Sequence, residues 1–387
     1  MRAEIGIVGA GPAGAWAAYR LARAGARVTI IDDSHPREKP CGGGLTGRAL
    51  DLIDGAINSG AVPSVTISSA LFEHGDRRVS VRLRSHQATP PLVVASRRDL
   101  DAALLQAAVG AGATHVASRA RDVGRNGDGW RILTRDGHVD CGWIVGADGP
   151  TSLVRRRVFR AFERSDLSIA TGWFVRGTTA RDVMIAFESE PPGYVWSFPR
   201  PDHLAVGICA QADESTTPQL QLRARAWMAR SIAPGGALDR YAWPIPSLSE
   251  SALAREQPAA DRWMLLGDAA GLVDPITREG IFFALRSGDL AAESLLEAGD
   301  SASRFSAGIR DEIHAELRRA AGLKARFYRP RFMGLMLRAL QTSAPIREIM
   351  GDLVAGQQTY HGLRRRLLST LELRLMLELW SGRLQST

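Results

Sequence analysis

The chain has 387 residues, 45% hydrophobic and 23% charged, a balance that makes it globular, with an ample core and length for two lobes. Its net charge is +8, nearly all the positive charge is arginine, and Lys39 and Lys324 are the only lysines. With no helix-turn-helix, zinc-finger or RNA-binding signature, nucleic acid is not expected as a partner, and no run approaches the roughly 20 apolar residues that cross a bilayer.

In chain order, residues 5–8 form a short apolar strand, 13–24 an alanine-rich helix ended by Gly25, and 27–31 a second strand closing on Asp32. Residues 64–73 and 77–84 read as strands, the second with Val79, Val81 and Leu83 alternating with arginines as in a half-exposed sheet. A helix over 96–112 follows, and 143–145 is a buried strand running into Gly146-Ala147-Asp148-Gly149. Residues 169–176, 183–188, 194–198 and 203–210 form a run of strands, closed by a helix over 219–231. A last buried strand, 263–266, leads into Gly267-Asp268-Ala269-Ala270-Gly271, and helical patterns dominate from Ile281 onward. Parallel-type strands thus fall in separated blocks with antiparallel-type strands between them. The expected fold is α/β: a discontinuous Rossmann-like dinucleotide domain (1–60, 96–158 and 255–300), an inserted antiparallel substrate-binding sheet (61–95 and 159–254) and a helical C-terminal region (301–387).

Three motifs carry chemistry. Gly9-x-Gly11-x-x-Gly14 lies between a strand and a helix, where glycines let the backbone approach a pyrophosphate at the helix N-terminus. Asp32, at the end of the second strand, is placed to bind a ribose diol. The second motif is Gly146-Ala147-Asp148-Gly149-Pro150-Thr151-Ser152-x-x-Arg155. The third, Gly267 to Gly271 followed by Asp274-Pro275, puts a carboxylate and small residues at a strand-to-helix junction that can face a phosphate or the edge of a flat ring.

In this order the motifs resemble the FAD-dependent monooxygenase-like superfamily with the p-hydroxybenzoate hydroxylase fold. That resemblance implies FAD, with Gly9, Gly11, Ala13, Gly14 and Asp32 at its ADP half and Asp148 near the pyrophosphate and substrate cleft. It places Gly267 and Asp268 at the ribityl chain or pyrophosphate, and Gly280 and Ile281 near the isoalloxazine. Arg97, at the start of the helix after the first inserted strands, matches the family's cofactor-contacting arginine. Two further stretches resemble the geranylgeranyl reductase branch: Lys39-Pro40-Cys41-Gly42-Gly43-Gly44-Leu45, and Tyr194-x-Trp196-x-Phe198-Pro199 with Gly207 beyond it. Residues 274–281 are similar to that branch's flavin-side segment, with Arg278 where the pattern has Gly. The resemblance covers roughly residues 1–300. Physically, the glycines after Cys41 give a backbone able to pass close to a flat ring, which puts Cys41, Gly42 and Gly43 beside the cofactor. Tyr194, Trp196 and Phe198 alternate on a strand and share one face, expected as a pocket wall.

The implied activity is reduction of a C=C bond in an isoprenoid or related lipophilic substrate, by hydride from reduced FAD. An isolated alkene resists hydride attack, so protonation must accompany or precede it, and aromatic faces such as those of Tyr194 and Trp196 stabilise the developing charge. Cys41 is expected to line the site and relay or position a proton, since a thiol with pKa near ~8.5 is a weak acid for an alkene. No second dinucleotide fingerprint is visible, so the electrons come from an external donor: NAD(P)H, ferredoxin or another reduced flavin. The same fold hosts two alternatives, oxygen-using hydroxylases of aromatic substrates and halogenases that need a lysine near the substrate.

Beyond Leu323 the chain turns basic and apolar, with Arg326, Arg329 and Arg331 among Phe327, Tyr328, Phe332, Met333, Leu335, Met336 and Leu337. Leu363, Leu367, Leu371, Leu375 and Leu379 then repeat every fourth residue beside Arg364, Arg365 and Arg366, an amphipathic helix. It packs on the flavin domain or a dimer partner, or it forms a lid or peripheral membrane-surface face. Cys41, Cys141 and Cys209 lack metal-ligand spacing and fit a reducing compartment, and no signal peptide precedes the first strand. Cytoplasmic residence is therefore expected, and no metal.

Overall fold

Four apolar segments, Arg2–Val8, Val28–Ile31, Gly137–Gly146 and Trp263–Leu265, pair in parallel, with Ile7 opposite Ile30 on one side and Val145 on the other. The computed structural model that shows this describes residues 2–57, 60, 62–85, 89–232 and 236–370. Val28–Ile31, Trp263–Leu265 and the ends of the other two, residues 5–8 and 144–146, are buried on both faces and run apolar rather than alternating. Because they run the same way, Val8, Ile31, Gly146 and Leu265 end at one edge of the sheet, and all three glycine-containing motifs start there. Ligands of open parallel sheets bind at that edge. The helices Pro12–Arg23 and Ile281–Leu296 pack together on one face, where Asp289 accepts from Trp16 Nε1 at 2.8 Å and pairs with Arg20.

A second sheet has seven strands in the order Leu238–Pro246, Leu167–Arg176, His203–Gln211, Pro192–Pro199, Val183–Ser189, Ser69–His74, Arg77–Arg82. Every pairing is antiparallel except that of Val183–Ser189 with Ser69–His74. One face packs against the helix Thr217–Ser231 through Leu220, Ala224, Trp227 and Met228. The other faces the parallel-sheet domain and, at its far end, the helices Pro330–Thr342 and Ala344–Val354. The chain thus adopts the expected α/β architecture with an inserted sheet and a helical C-terminal region.

Two readings need correction. The stretch 64–73 is not one strand: Ser64–Thr66 and Ser69–His74 belong to different sheets, the chain crossing between them at Ile67 and Ser68. Ser64–Thr66 and Leu92–Ala95 join Gly44–Thr46, the end of the glycine run, in a small three-stranded sheet. Alternation cannot reveal such a crossing, because both halves remain extended and hydrogen-bonded. Residues 120–134, read without strands, form the hairpin Ala120–Asn126 and Gly129–Thr134 beside Gly137–Gly146.

In the tail, Tyr328, Met333, Met336, Leu337 and Leu340 lie buried against the seven-stranded sheet, while Arg326, Arg329 and Arg331 are exposed. The leucine repeat begins as the short helix Leu363–Ser369; Leu371, Leu375 and Leu379 lie outside the described residues. Among the described residues no helix is long and apolar enough to cross a membrane.

Candidate active site

Between the two sheets lies a cavity of about 1020 Å³, bounded at one end by the three motif loops and at the other by the aromatic strand. Small-molecule and cofactor sites typically occupy ~300–1,000 Å³. Every site residue singled out in the sequence lines it except Gly14 and Gly267. Those two serve packing instead. A Cβ on Gly14 would sit 2.0 Å from the Gly9 carbonyl, and one on Gly267 would press on Ala13 and Ala284 at 3.2 Å.

At the motif end, the helices Pro12–Arg23 and Ile281–Leu296 begin at Gly11 and Gly280 without a side-chain cap. Their leading N–H groups and helix dipoles are left to the cavity. A Cβ on Gly11 would meet only the His35 ring, at 3.6 Å, so a ligand can come close to this backbone. Arg37, Lys39 and Arg97 supply positive charge around the same end. Open helix starts and cations are what an anionic dinucleotide requires, and the residues present fit FAD. Lys39 Nζ bonds Asp268 Oδ2 at 2.7 Å, which fixes that carboxylate. Arg97 is buried and forked onto Asp101 through Nε and Nη2, at 3.0 and 2.9 Å.

Two acids are already engaged within the chain. Asp32 accepts from the Ala10 N–H at 2.9 Å, from the Ser34 and His35 N–H groups at 2.6 and 2.9 Å, and bonds His35 Nδ1 at 2.9 Å. Burial pushes its pKa up, but these partners outweigh burial and hold it well below the usual carboxylate range. Asp148, on the cavity wall, accepts from Ser152 Oγ and the Leu153 N–H at 2.5 and 2.6 Å, which ties it to the start of the helix Leu153–Val158. Burial raises the Asp148 pKa.

At the other end the glycine run is clamped from the sheet. Phe198 lies against Gly42 and Gly44, so that a Cβ on Gly42 would be 3.0 Å from its ring. Gly43 is left-handed (φ 78°), and its carbonyl accepts from the Ala95 N–H at 3.0 Å. Arg200, fully buried, donates to the Cys41 carbonyl at 2.8 Å and pairs with Glu38. Burial pushes the Glu38 pKa up, yet Arg200 and the Ser96 hydroxyl outweigh it and hold it low. Arg200 escaped the sequence reading; its one local signal was an arginine directly after the Phe198-Pro199 pair.

The pocket wall forms as alternation implies. Tyr194 and Trp196 face the same side in edge contact at 5.9 Å. The Trp196 indole lies over Gly207, where a Cβ would be 2.3 Å from the ring. Tyr194 donates its hydroxyl to the Thr277 carbonyl at 2.7 Å, and Tyr328 donates to that of Ile276 at 2.9 Å, so two phenols hold the 274–280 loop. Burial pushes both phenol pKa values up. Ile185, Trp243, Ile245, Leu353 and Val354 complete an apolar enclosure. Cys209, opposite Tyr194, also lines it, whereas Cys141 is buried beneath Gly6 with its thiol pushed up to about 12 by burial.

The sequence pattern described as FAD binding domain matches residues 2–298. The chloroplastic geranylgeranyl diphosphate reductase of Nicotiana tabacum is 27% identical over 392 residues, covering 92% of this chain and 78% of that protein. The menaquinone reductase of Mycolicibacterium smegmatis is 28% identical over 388 residues, covering 92% of this chain and 93% of its own. The fold is shared with a geranylgeranyl bacteriochlorophyll reductase-like protein from Thermoplasma acidophilum, at a TM-score of 0.79 and 20% identity, over 95% of this chain and 99% of that one.

Proposed function

The chain belongs to the FAD binding domain family and is an FAD-dependent oxidoreductase, and from that premise we propose that it saturates C=C bonds of an isoprenoid or related lipophilic substrate. One observation carries this reading: the clamped run Cys41–Gly44 faces an apolar aromatic wall across a cavity that also contains the flavin-side loop. Bound FAD, when reduced, supplies the hydride. The chain supplies position and proton control. Gly42 and Gly43 offer bare backbone to a flat ring, and Phe198 with Arg200 keeps that backbone still. Tyr194 and Trp196 present ring faces to an alkene carbon that becomes positive. Tyr194 keeps its proton, being buried and committed to Thr277, and so acts as wall rather than acid. Cys41, half-buried beside Gly43, positions or relays the proton at Sγ.

Electrons reach the site from an external donor: NAD(P)H, ferredoxin or another reduced flavin. Contact with a membrane surface, through exposed arginines of the C-terminal region, gives access to a lipophilic substrate. The decisive experiment mixes photoreduced holoenzyme anaerobically with geranylgeranyl compounds. Flavin reoxidation without oxygen, with a gain of about two mass units in the product, is the expected outcome. Reoxidation only on admitting oxygen, with an added oxygen atom, would replace the reductase with a hydroxylase.

A further inference from the structure

Arg278 is one of three non-glycine residues with positive φ among the described residues, at 61°, a conformation that costs an L-residue roughly 1–2 kcal/mol. It lines the cavity at the end of the apolar wall. Its Nη1 donates to the Pro275 carbonyl at 2.5 Å and to Ser247 Oγ, while Nε and Nη2 are buried without a hydrogen-bond partner. Lys324, from the helix Ala315–Phe327, reaches the same hydroxyl: its Nζ donates to Ser247 Oγ at 2.9 Å and to Gln211 Oε1 at 2.6 Å. Two cations thus share one serine, and among the described residues neither forms an ion pair with a carboxylate. Unpaired buried charge is costly, so the retention of Arg278 on the cavity wall, with Lys324 behind it across Ser247, points to a ligand that neutralises it.

We propose that Arg278 and Lys324 form a subsite for a carboxylate carried at one end of the lipophilic substrate. This subsite rests on the reading of the cavity as a lipophilic-substrate site and specifies the chemistry of the substrate's far end. With Nη1 anchored, Nε and Nη2 of Arg278 are buried among the Cys209 thiol and the Tyr328 and Tyr194 phenols with no oxygen partner, and this side-on fork is the edge that takes both oxygens of a planar carboxylate. Ser247, Gln211 and the backbone of Pro275 hold the two cations in register. Burial, with the charge of Arg278, pushes Lys324 down to about 7, and an anion beside it would restore its proton. The charges facing Lys324 are Arg278, Glu214 and Asp213, with the Cys209 thiol; neither acid bonds it, so a ligand has no competitor in contact.

The test titrates oxidised holoenzyme with geranylgeranoic acid, geranylgeraniol and geranylgeranyl diphosphate, reading the flavin absorbance. A second pair, 2-naphthoic acid and 2-naphthalenemethanol, makes the same comparison without an isoprenoid chain. The acid of each pair is expected to bind about tenfold to a hundredfold tighter than its alcohol, the range of a charged hydrogen-bonded contact. In Arg278→Gly, where glycine takes the left-handed backbone without strain, that ratio falls to about one; Lys324→Met reduces it in part. Equal binding of acid and alcohol by the native protein, or a preference that survives in Arg278→Gly, overturns the subsite. So does an Arg278-dependent preference for the diphosphate over the acid. Failure of all three isoprenoids, with naphthoate still preferred in an Arg278-dependent way, sinks the isoprenoid reading and leaves the subsite standing.

Discussion

Two side chains illustrate how a residue's surroundings decide what it can do. Cys41 is held chiefly by its backbone, through Arg200, while its sulfur makes one weak contact, accepting from the Gly43 N–H at 3.3 Å, and lines the cavity. Cys41→Ala should keep full flavin content and lower turnover with the true alkene substrate about a hundredfold, the usual worth of a positioned proton donor. Rapid-reaction measurement of flavin reoxidation checks this, and unchanged turnover removes the thiol from the mechanism. Lys324 is the opposite case, a group the fold tolerates at a cost. Burial, then Arg278, depresses its pKa from 10.5 to about 7. The unfolded chain therefore holds a proton between pH 7 and 10.5 that the folded chain has lost. The penalty is complete below about 7 and is relieved as pH rises toward 10.5. Lys324→Met should be about 1–3 kcal/mol more stable at pH 7, with the gap closing by pH 10 in urea denaturation. A variant that melts lower at pH 7 would mean that the hydrogen bonds to Gln211 and Ser247 outweigh desolvation.

At the scale of the element, what could be read in advance divides by distance along the chain. The βαβ unit and its glycine motif were legible because strand, loop, helix and Asp32 lie within a few turns of one another and each constrains its neighbour. The aromatic wall was legible because alternation on one strand fixes a shared face. Gly207 also made sense once Trp196 was placed over it. That Asp148 bonds the start of its own helix was not legible, since an acid at the end of a strand carries no local sign of which N–H groups it will meet. Likewise the open N-termini at Gly11 and Gly280 can be told from the capped one at Ser152 only in three dimensions. The clamp of Arg200 on Glu38 and the pair Arg278–Lys324 draw on segments far apart in sequence, with no periodicity to join them. Arg278 itself stood out as a departure from a glycine pattern, and its left-handed backbone supplies the reason for that pattern.

At the scale of the molecule, the open question is whether the C-terminal helices are a detachable cover or part of the substrate domain. Burial decides between them. Met333, Leu337 and Leu340 have no solvent exposure, and with Met336 they pack into one cluster with Phe72, Val81 and Phe187 of the seven-stranded sheet. Each such side chain contributes roughly 1.5–3 kcal/mol, so the four together approach ~6–12 kcal/mol. That is comparable to the whole stability of a typical domain, about 5–15 kcal/mol. A surface that merely opened and closed over a membrane could not carry so large a fraction of the folding energy. The arginines at 326, 329 and 331, which lie outside this packing, are the part of the stretch left to meet an anionic partner. A chain ending at Arg329 should therefore lose the cooperative melting transition of the inserted sheet and bind a hydrophobic dye strongly, even where flavin-domain secondary structure persists. A truncated protein that melts within a few degrees of the intact one, with no dye binding, would make the helices a lid after all. The cavity wall formed by Leu353 and Val354 would then belong to the closed state alone.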